Sequence, residues 1–165
     1  MPSSAPSRPR RSAAPAGAQA AAPPRFIDDY LAYLLAQASR RVSGQFHGEV
    51  QMGGLSVTEW RVLAGLSGVP HESVGALSEI TLTKQPTLSK IIQRMERQGL
   101  VRRSDTPVDR RQTLVALTPK GQALAAGYVQ RALQHQQRVL QPLGARNAST
   151  LMRVLRQLID LPESR

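Results

Sequence analysis

The chain has 165 residues, 41% of them hydrophobic, and carries 22 lysines and arginines against 11 aspartates and glutamates, a formal net charge of +11. That length and apolar content suit one compact domain with appendages, and the positive field points to phosphate polyanions or an anionic surface as partner. Cysteine is absent, which excludes disulfides, thiolate metal sites and thiol redox sensing, and no window approaches the roughly 18 apolar residues of a spanning helix.

Residues 1–25 hold six of the twelve prolines, many alanines and no acid. Such a segment cannot bury enough apolar surface to offset its ordering entropy and reads as a disordered tail. Arg10-Arg11 is not followed by an apolar core segment, so no export signal is read and a cytoplasmic protein is expected. Four arginines, Arg8, Arg10, Arg11 and Arg25, precede the first acid, Asp28; residues 26–165 keep 18 basic against 11 acidic residues. The folded part is basic without the tail.

From Phe26 to about Val50 the pattern predicts a helix with two stripes. Ile27, Leu31, Leu34, Leu35, Ala38, Val42 and Phe46 form one face, and Phe26, Tyr30, Tyr33, Gln37, Arg40, Gly44 and His47 the other. A helix apolar on two sides has two neighbours, expected here to be a second subunit and the chain's own following elements. After a break at Met52-Gly53-Gly54, Thr58 is the expected cap of a helix burying Trp60, Leu63 and Leu66, which Pro70 ends. Ser73 to Ile80 forms a short helix with Val74, Leu77 and Ile80 inward, and Thr81 to Thr83 a turn, the start of a helix-turn-helix.

The next helix runs from Lys84 to Gln98, with Thr83 as expected cap and Pro86 in its first turn, where a missing N–H costs little. Leu88, Ile91, Ile92 and Met95 make a narrow inward stripe; Pro86, Ser89, Lys90, Gln93, Arg94 and Arg97 lie opposite, a face rich in hydrogen-bond donors. Gly99 stops this helix. Leu100-Val101 and Thr113–Leu117 then read as two strands around a connection carrying Arg102, Arg103, Arg110 and Arg111, a basic wing. Thr118-Pro119 opens a long helix to about Gln141, Pro142–Gly144 breaks it, and a last helix from about Asn147 to Leu161 carries Leu151, Val154, Leu155, Leu158 and Ile159.

The expected fold is mainly α with a small β-hairpin wing. A winged helix-turn-helix DNA-binding domain over 55–118 is flanked by an N-terminal dimerisation helix, 26–54, and C-terminal dimerisation helices, 119–165. The apolar faces of the outer helices exceed what about 65 residues can cover, so a homodimer is expected. No nucleophile elbow, phosphate loop or paired-carboxylate arrangement is visible, so no enzyme and no cofactor are expected. His47, His71 and His135 have no metal-ligand partner three or four residues away, which argues against a metal site.

LSVTEWRVL at 55–63, LSEIT at 77–81, TLSKIIQRMERQGLVRR at 87–103 and DRRQTLVALTPKG at 109–121 together resemble the MarR family of bacterial winged-helix transcription regulators, over about residues 26–161. The resemblance implies a dimer on a pseudo-palindromic double-stranded DNA operator, usually a repressor, and in many members release by a small aromatic carboxylate or phenolic effector. By position, Lys84–Gln98 looks like the recognition helix and Asp109-Arg110-Arg111 like the wing tip. The residue chemistry agrees: a major groove admits one α-helix, Lys and Arg meet guanine O6 and N7, and Gln meets adenine. The DNA-contacting candidates are Lys84, Gln85, Pro86, Thr87, Ser89, Lys90, Gln93, Arg94, Arg103, Asp109, Arg110 and Arg111. Asp109 would orient one neighbouring arginine and leave the other for the minor groove.

For the effector, Tyr30, Tyr33, Gln37, Arg40, Arg41, His47 and Trp60 are the candidates. Arg40 or Arg41 would grip a carboxylate bidentately while tyrosine rings supply apolar walls, with Trp60 closing the pocket; benzoate- or nicotinate-like acids follow from the family's tendency. The competing reading of these side chains is ordinary core and interface. The competing function is a non-specific architectural DNA binder, basic and dimeric but indifferent to sequence.

Overall fold

A computed structural model describes residues 25–105 and 113–162. All of the expected tail but Arg25, the wing tip with Asp109, Arg110 and Arg111, and the last three residues lie outside the described residues. The chain divides after Ala36 into two units.

In the first unit, α1 (Phe26–Asp29) is a single turn. Arg25 folds back on Asp28, Nη2 to Oδ1 at 2.8 Å, and the rings of Phe26 and Tyr30 stack with centroids 5.0 Å apart. The helix expected to start at Phe26 is therefore interrupted. Tyr30 takes an extended backbone, φ −75° and ψ 113°, and the long helix α2, Leu31–Met52, begins in the first unit and continues from Gln37 in the second.

In the second unit, α3 (Val57–Leu66) starts two residues earlier than Thr58 would place it. Ser56 is the cap: its Oγ accepts the Glu59 N–H at 3.2 Å, and the Glu59 carboxylate accepts the Ser56 N–H at 2.8 Å. The reciprocal box satisfies two amide donors at once. Thr58 has Arg61 three residues on, a side chain that cannot accept, so the same device is closed to it. Ser73 caps α4 (Val74–Thr81), accepting from Ala76 N–H at 3.1 Å.

Helix α5 (Gln85–Arg97) follows, with Lys84 rather than Thr83 at the cap position. The Thr83 hydroxyl is engaged elsewhere, donating to the Thr81 carbonyl at 3.1 Å. Strands β2 (Val101–Asp105) and β3 (Thr113–Leu117) pair antiparallel with Val101 opposite Leu117. A two-residue strand, β1 (Glu72–Ser73), adds to the far side of β3 with Glu72 opposite Val115, giving the order β1-β3-β2. The sequence pattern shows only the two wing strands, because two residues carry no alternation.

Helix α6 (Pro119–Leu140) has the expected Thr118 cap and leading proline, with Thr118 Oγ1 accepting from Gly121 N–H at 3.0 Å. A 3-10 turn, Gln141–Leu143, leads into α7 (Gly144–Ile159). That is three residues earlier than Asn147, because Gly144 at φ +72° reverses the chain without a loop.

Val50, Val62, Leu63, Leu66, Leu77, Leu88, Ile92, Met95, Val101 and Val115 form the packed centre of this unit. Each such side chain stabilises by about 1.5–3 kcal/mol on burial. The wing, the helix-turn-helix and the start of α6 thus share one core. The expected class, helical with a small antiparallel wing, is what folds. Among the described residues no helix is long and apolar enough to cross a membrane.

Candidate nucleic-acid interface

Helix α5 owes its placement to its inner stripe. Leu88, Ile92 and Met95 are completely buried and Ile91 is half-buried, the i, i+3, i+4, i+7 pattern of a helix lying on a core. The other side carries the sequence candidates. Lys84, Gln85, Pro86, Thr87, Lys90, Gln93 and Arg94 are exposed, as is Arg97, and Ser89 is half-buried.

The entry to α5 is a hydrogen-bonded turn. Leu82 adopts the left-handed conformation at φ 54°, ψ 40°, and the Thr83 N–H reaches the Ser78 carbonyl at 3.1 Å. The Ser78 hydroxyl donates to the Thr83 carbonyl at 2.7 Å, while Arg61 on α3 donates to the Thr81 carbonyl at 3.1 Å. These bonds occupy the backbone groups left over between α4 and α5, so the amino end of α5 is fixed in direction.

Three further ties brace its length. Arg94 reaches α3, with Nε and Nη2 at 3.1 and 3.0 Å from Glu59 Oε1. Glu96 reaches β2: Arg103 donates from its backbone N–H at 3.0 Å and from Nε and Nη2 at 2.7 Å each. The carboxyl end is stitched to α6, where the Thr118 hydroxyl donates to the Gly99 carbonyl at 2.6 Å and Lys120 Nζ to the Gln98 carbonyl at 2.8 Å.

Gly99 closes α5 at φ +72°, with Leu100 N–H reaching back to Met95 O at 2.9 Å, the left-handed stop that favours glycine. Gly121 permits the α6 contact: a Cβ there would overlap the Leu100 carbonyl. The glycine of the TPKG run is therefore a close-approach residue.

Two expected DNA-contacting arginines thus lie in ion pairs within the protein. The Arg103 pair holds the Glu96 carboxyl below the usual carboxylate range, chiefly through the side-chain hydrogen bond. Glu59 is the member of these ties that pattern reading did not single out. Its Ser-x-x-Glu spacing signals the cap, but nothing local signals a partner 35 residues on.

The effector candidates are distributed between the two units. Tyr30 and Tyr33 belong to the first, and both are exposed. In the second, Arg40 donates to Gln37 Oε1 at 3.1 Å, Arg41 is exposed and His47 is half-buried. Burial, and then the nearby Arg61 charge, hold His47 below the ordinary imidazole value, which favours its neutral form.

Trp60 is buried in an aromatic cluster, edge-on to Phe46 at 5.4 Å and tilted against Tyr128 at 5.9 Å. His135 stacks on Phe46 at 5.7 Å and its Nε2 lies 2.7 Å from the Val42 carbonyl; a carbonyl only accepts, so Nε2 carries the proton. The Arg131 guanidinium covers the Tyr128 ring at 4.1 Å. No local pattern links Tyr128, Phe46 and His135, and only the fold gathers them around Trp60. Among the described residues no cluster of three or more His, Asp or Glu is placed to hold a metal.

Comparison with known proteins gives the same architecture a family. Residues 53–112 match the model of the MarR family. The chain is 27% identical over 141 residues to the HTH-type transcriptional repressor NicR of Pseudomonas putida, covering 86% of this chain and 89% of that one. It is 33% identical over 98 residues to the homoprotocatechuate degradative operon repressor of Escherichia coli, covering 59% and 66%.

A MarR family transcriptional regulator from Silicibacter pomeroyi superposes with a TM-score of 0.75 at 38% identity, over 83% of this chain and 98% of that chain. BpsR of Bordetella bronchiseptica, solved in a study of the regulation of its DNA binding by 6-hydroxynicotinic acid, superposes at 0.73 and 28% identity over 86% and 100%. With the helix-turn-helix, the wing strands and these relatives together, the chain belongs to the MarR family of winged-helix transcriptional regulators.

Proposed function

We propose that this protein is a homodimeric transcriptional repressor that binds a pseudo-palindromic operator and is released by a small aromatic acid of benzoate or nicotinate type. Residues 55–118 act as the DNA-binding domain, and 26–54 and 119–165 as the dimerisation segments. The observation that carries the reading is α5, whose polar outer face is held on a helix tied to α3, β2 and α6. A helix so constrained meets the major groove with little ordering left to do. Gln85, Ser89, Lys90, Gln93 and Arg94 face base edges or phosphates. Of Arg110 and Arg111, one is proposed to enter the minor groove and the other to be oriented by Asp109.

Support for the effector comes from BpsR, whose DNA binding is regulated by 6-hydroxynicotinic acid, and from the homoprotocatechuate degradative operon repressor, and from the mixture of rings and cations on α2. Arg40 is the proposed carboxylate grip.

Competition and calorimetry test the two halves separately. A duplex from the DNA flanking the protein's own gene is expected to outcompete random DNA by ~10³ or more at physiological salt; equal competition returns the architectural reading. Calorimetry with hydroxynicotinate, benzoate and hydroxyphenylacetate is expected to show binding by wild type that Arg40→Ala abolishes or weakens at least tenfold. Binding left intact in the variant removes Arg40 from the site.

A further inference from the structure

Resting on the DNA-reading role of α5, we infer that Glu59 is a positioning residue that presents Arg94 to the duplex as a guanine-reading fork. The two oxygens of Glu59 divide their work. Oε2 accepts the Ser56 N–H and hydroxyl, both at 2.8 Å, so it is committed to the start of α3. Oε1 takes Arg94, whose Nε and Nη2 stand 3.1 and 3.0 Å away. Nε and Nη2 define one edge of the guanidinium plane. The group has five N–H donors in a rigid fork, so holding it by that edge leaves the distal edge, the Nη1 donors and the second Nη2 donor, for another acceptor. Two parallel donors at that spacing match O6 and N7 of guanine in the major groove.

Burial makes the clamp persistent. The Glu59 side chain is 5% exposed and that of Arg94 is 49% exposed. An acid so buried is costly to leave without its cation, whereas the outer half of Arg94 remains available. Arg94 has therefore surrendered its rotamer freedom in the free protein and owes little of it on docking.

Charge separates base from phosphate. Paired to Glu59, Arg94 brings little net positive charge to the DNA and is a poor neutraliser of phosphate, a role that suits Lys90 and Arg97 on the same face, neither of which has a partner among the described residues. A neutral base edge asks for donor geometry and not for charge.

The test uses the full chain and a pool of duplexes with a randomised core, selected first by wild type and then by Arg94→Lys and Glu59→Gln. Arg94→Lys leaves Glu59 with a cation and so keeps the fold even where Glu59→Gln proves unstable, and thermal melting checks both. Wild type is expected to enrich guanine at one position in each half-site. Both variants are expected to lose that preference roughly tenfold or more; Arg94→Lys keeps its affinity for random duplex within about twofold and its salt dependence unchanged, whereas Glu59→Gln uncovers the Arg94 charge and steepens the salt dependence by up to about one phosphate contact. Replacing that guanine by 7-deazaguanine, which lacks the N7 acceptor, weakens wild type and leaves Arg94→Lys indifferent. Equal losses on selected and random duplexes, or an unaltered base profile, overturn the inference while the regulator reading stands. A wild type that enriches nothing overturns both.

Discussion

Helices α5 and α7 are built on the same plan and end differently. Both are amphipathic, 13 and 16 residues long. In α5 the apolar stripe is sealed, with Leu88, Ile92 and Met95 wholly buried by the chain itself. In α7 nothing is buried: Leu151 is 40% exposed and Ile159 79%. An apolar helical face requires cover. The cover of α5 lies in its own chain, and on the proposed function its polar face is left for DNA; α7 finds no such cover among the described residues, and a second copy presenting the same face is the cover that reading proposes.

The largest effect follows from breaking that asymmetry at α7. Leu151→Glu with Val154→Glu puts two charges three residues apart on the exposed stripe. Sedimentation should show monomers and circular dichroism an unchanged helix content. Operator affinity should fall by ~10² or more, because two half-site contacts no longer share one linked complex. A variant that stays dimeric and binds normally would show that α7 is not the interface.

Next in size is a break at the bracing of α5. Gly121→Ala drives a methyl into the Leu100 carbonyl, a backbone group with no rotamer to yield. Overpacking of this kind costs about 1–3 kcal/mol, read as a lowered melting temperature. Gly127→Ala is the control on the same helix, where an added Cβ meets nothing within 4 Å; there the exchange should be neutral or slightly stabilising. Similar losses at both positions would mean that helix α6 does not pack on the end of α5 as described.

These two regions also differ in how far the sequence discloses them. The stripe of α5, its stop at Gly99 and the Thr118-Pro119 start of α6 are local: each needs only neighbours within a turn, and each is where the pattern puts it. The braces are not local. Glu59 to Arg94 spans 35 residues and Lys120 to Gln98 spans 22, and such pairs exist only once a fold has brought two helices together. Thr58 and Thr83 look like caps because threonine caps well in general; Ser56 takes the first role through its reciprocal carboxylate, and in the second Thr83 spends its hydroxyl on the turn. Arg94 and Arg103 are legible as exposed cations, but their engagement by Glu59 and Glu96 is not, so the sequence counts more cations open to DNA than the structure leaves.

That difference sharpens into a smaller prediction within α5 itself. Lys90 is exposed and has no acid partner among the described residues, so Lys90→Ala should lower the slope of log affinity against log salt by about 0.9, one phosphate contact. The loss should be equal on operator and random duplex. Arg94→Ala should leave the slope nearly unchanged. A Lys90 variant that loses operator binding alone would make Lys90 a base reader.

The smallest effect is a proton linkage at the junction of α5 and the wing. Arg103 holds the Glu96 carboxyl below its ordinary value, so the folded state binds that proton less readily than the unfolded chain. Its contribution is fully present above the ordinary carboxylate range and is lost as pH falls through the depressed folded value. Both partners are about one-third exposed, so solvent screening keeps the gain modest. Thermal midpoints of wild type and Arg103→Ala should differ by a small constant amount at neutral and mildly acidic pH and converge only in strong acid. His47, also depressed, loses its contribution at higher pH, as acidification passes below the ordinary imidazole value; because Arg103→Ala leaves it untouched, it lowers both curves together. A gap between wild type and variant that closes already near pH 6 would place the titrating partner of Arg103 on an imidazole and not on Glu96.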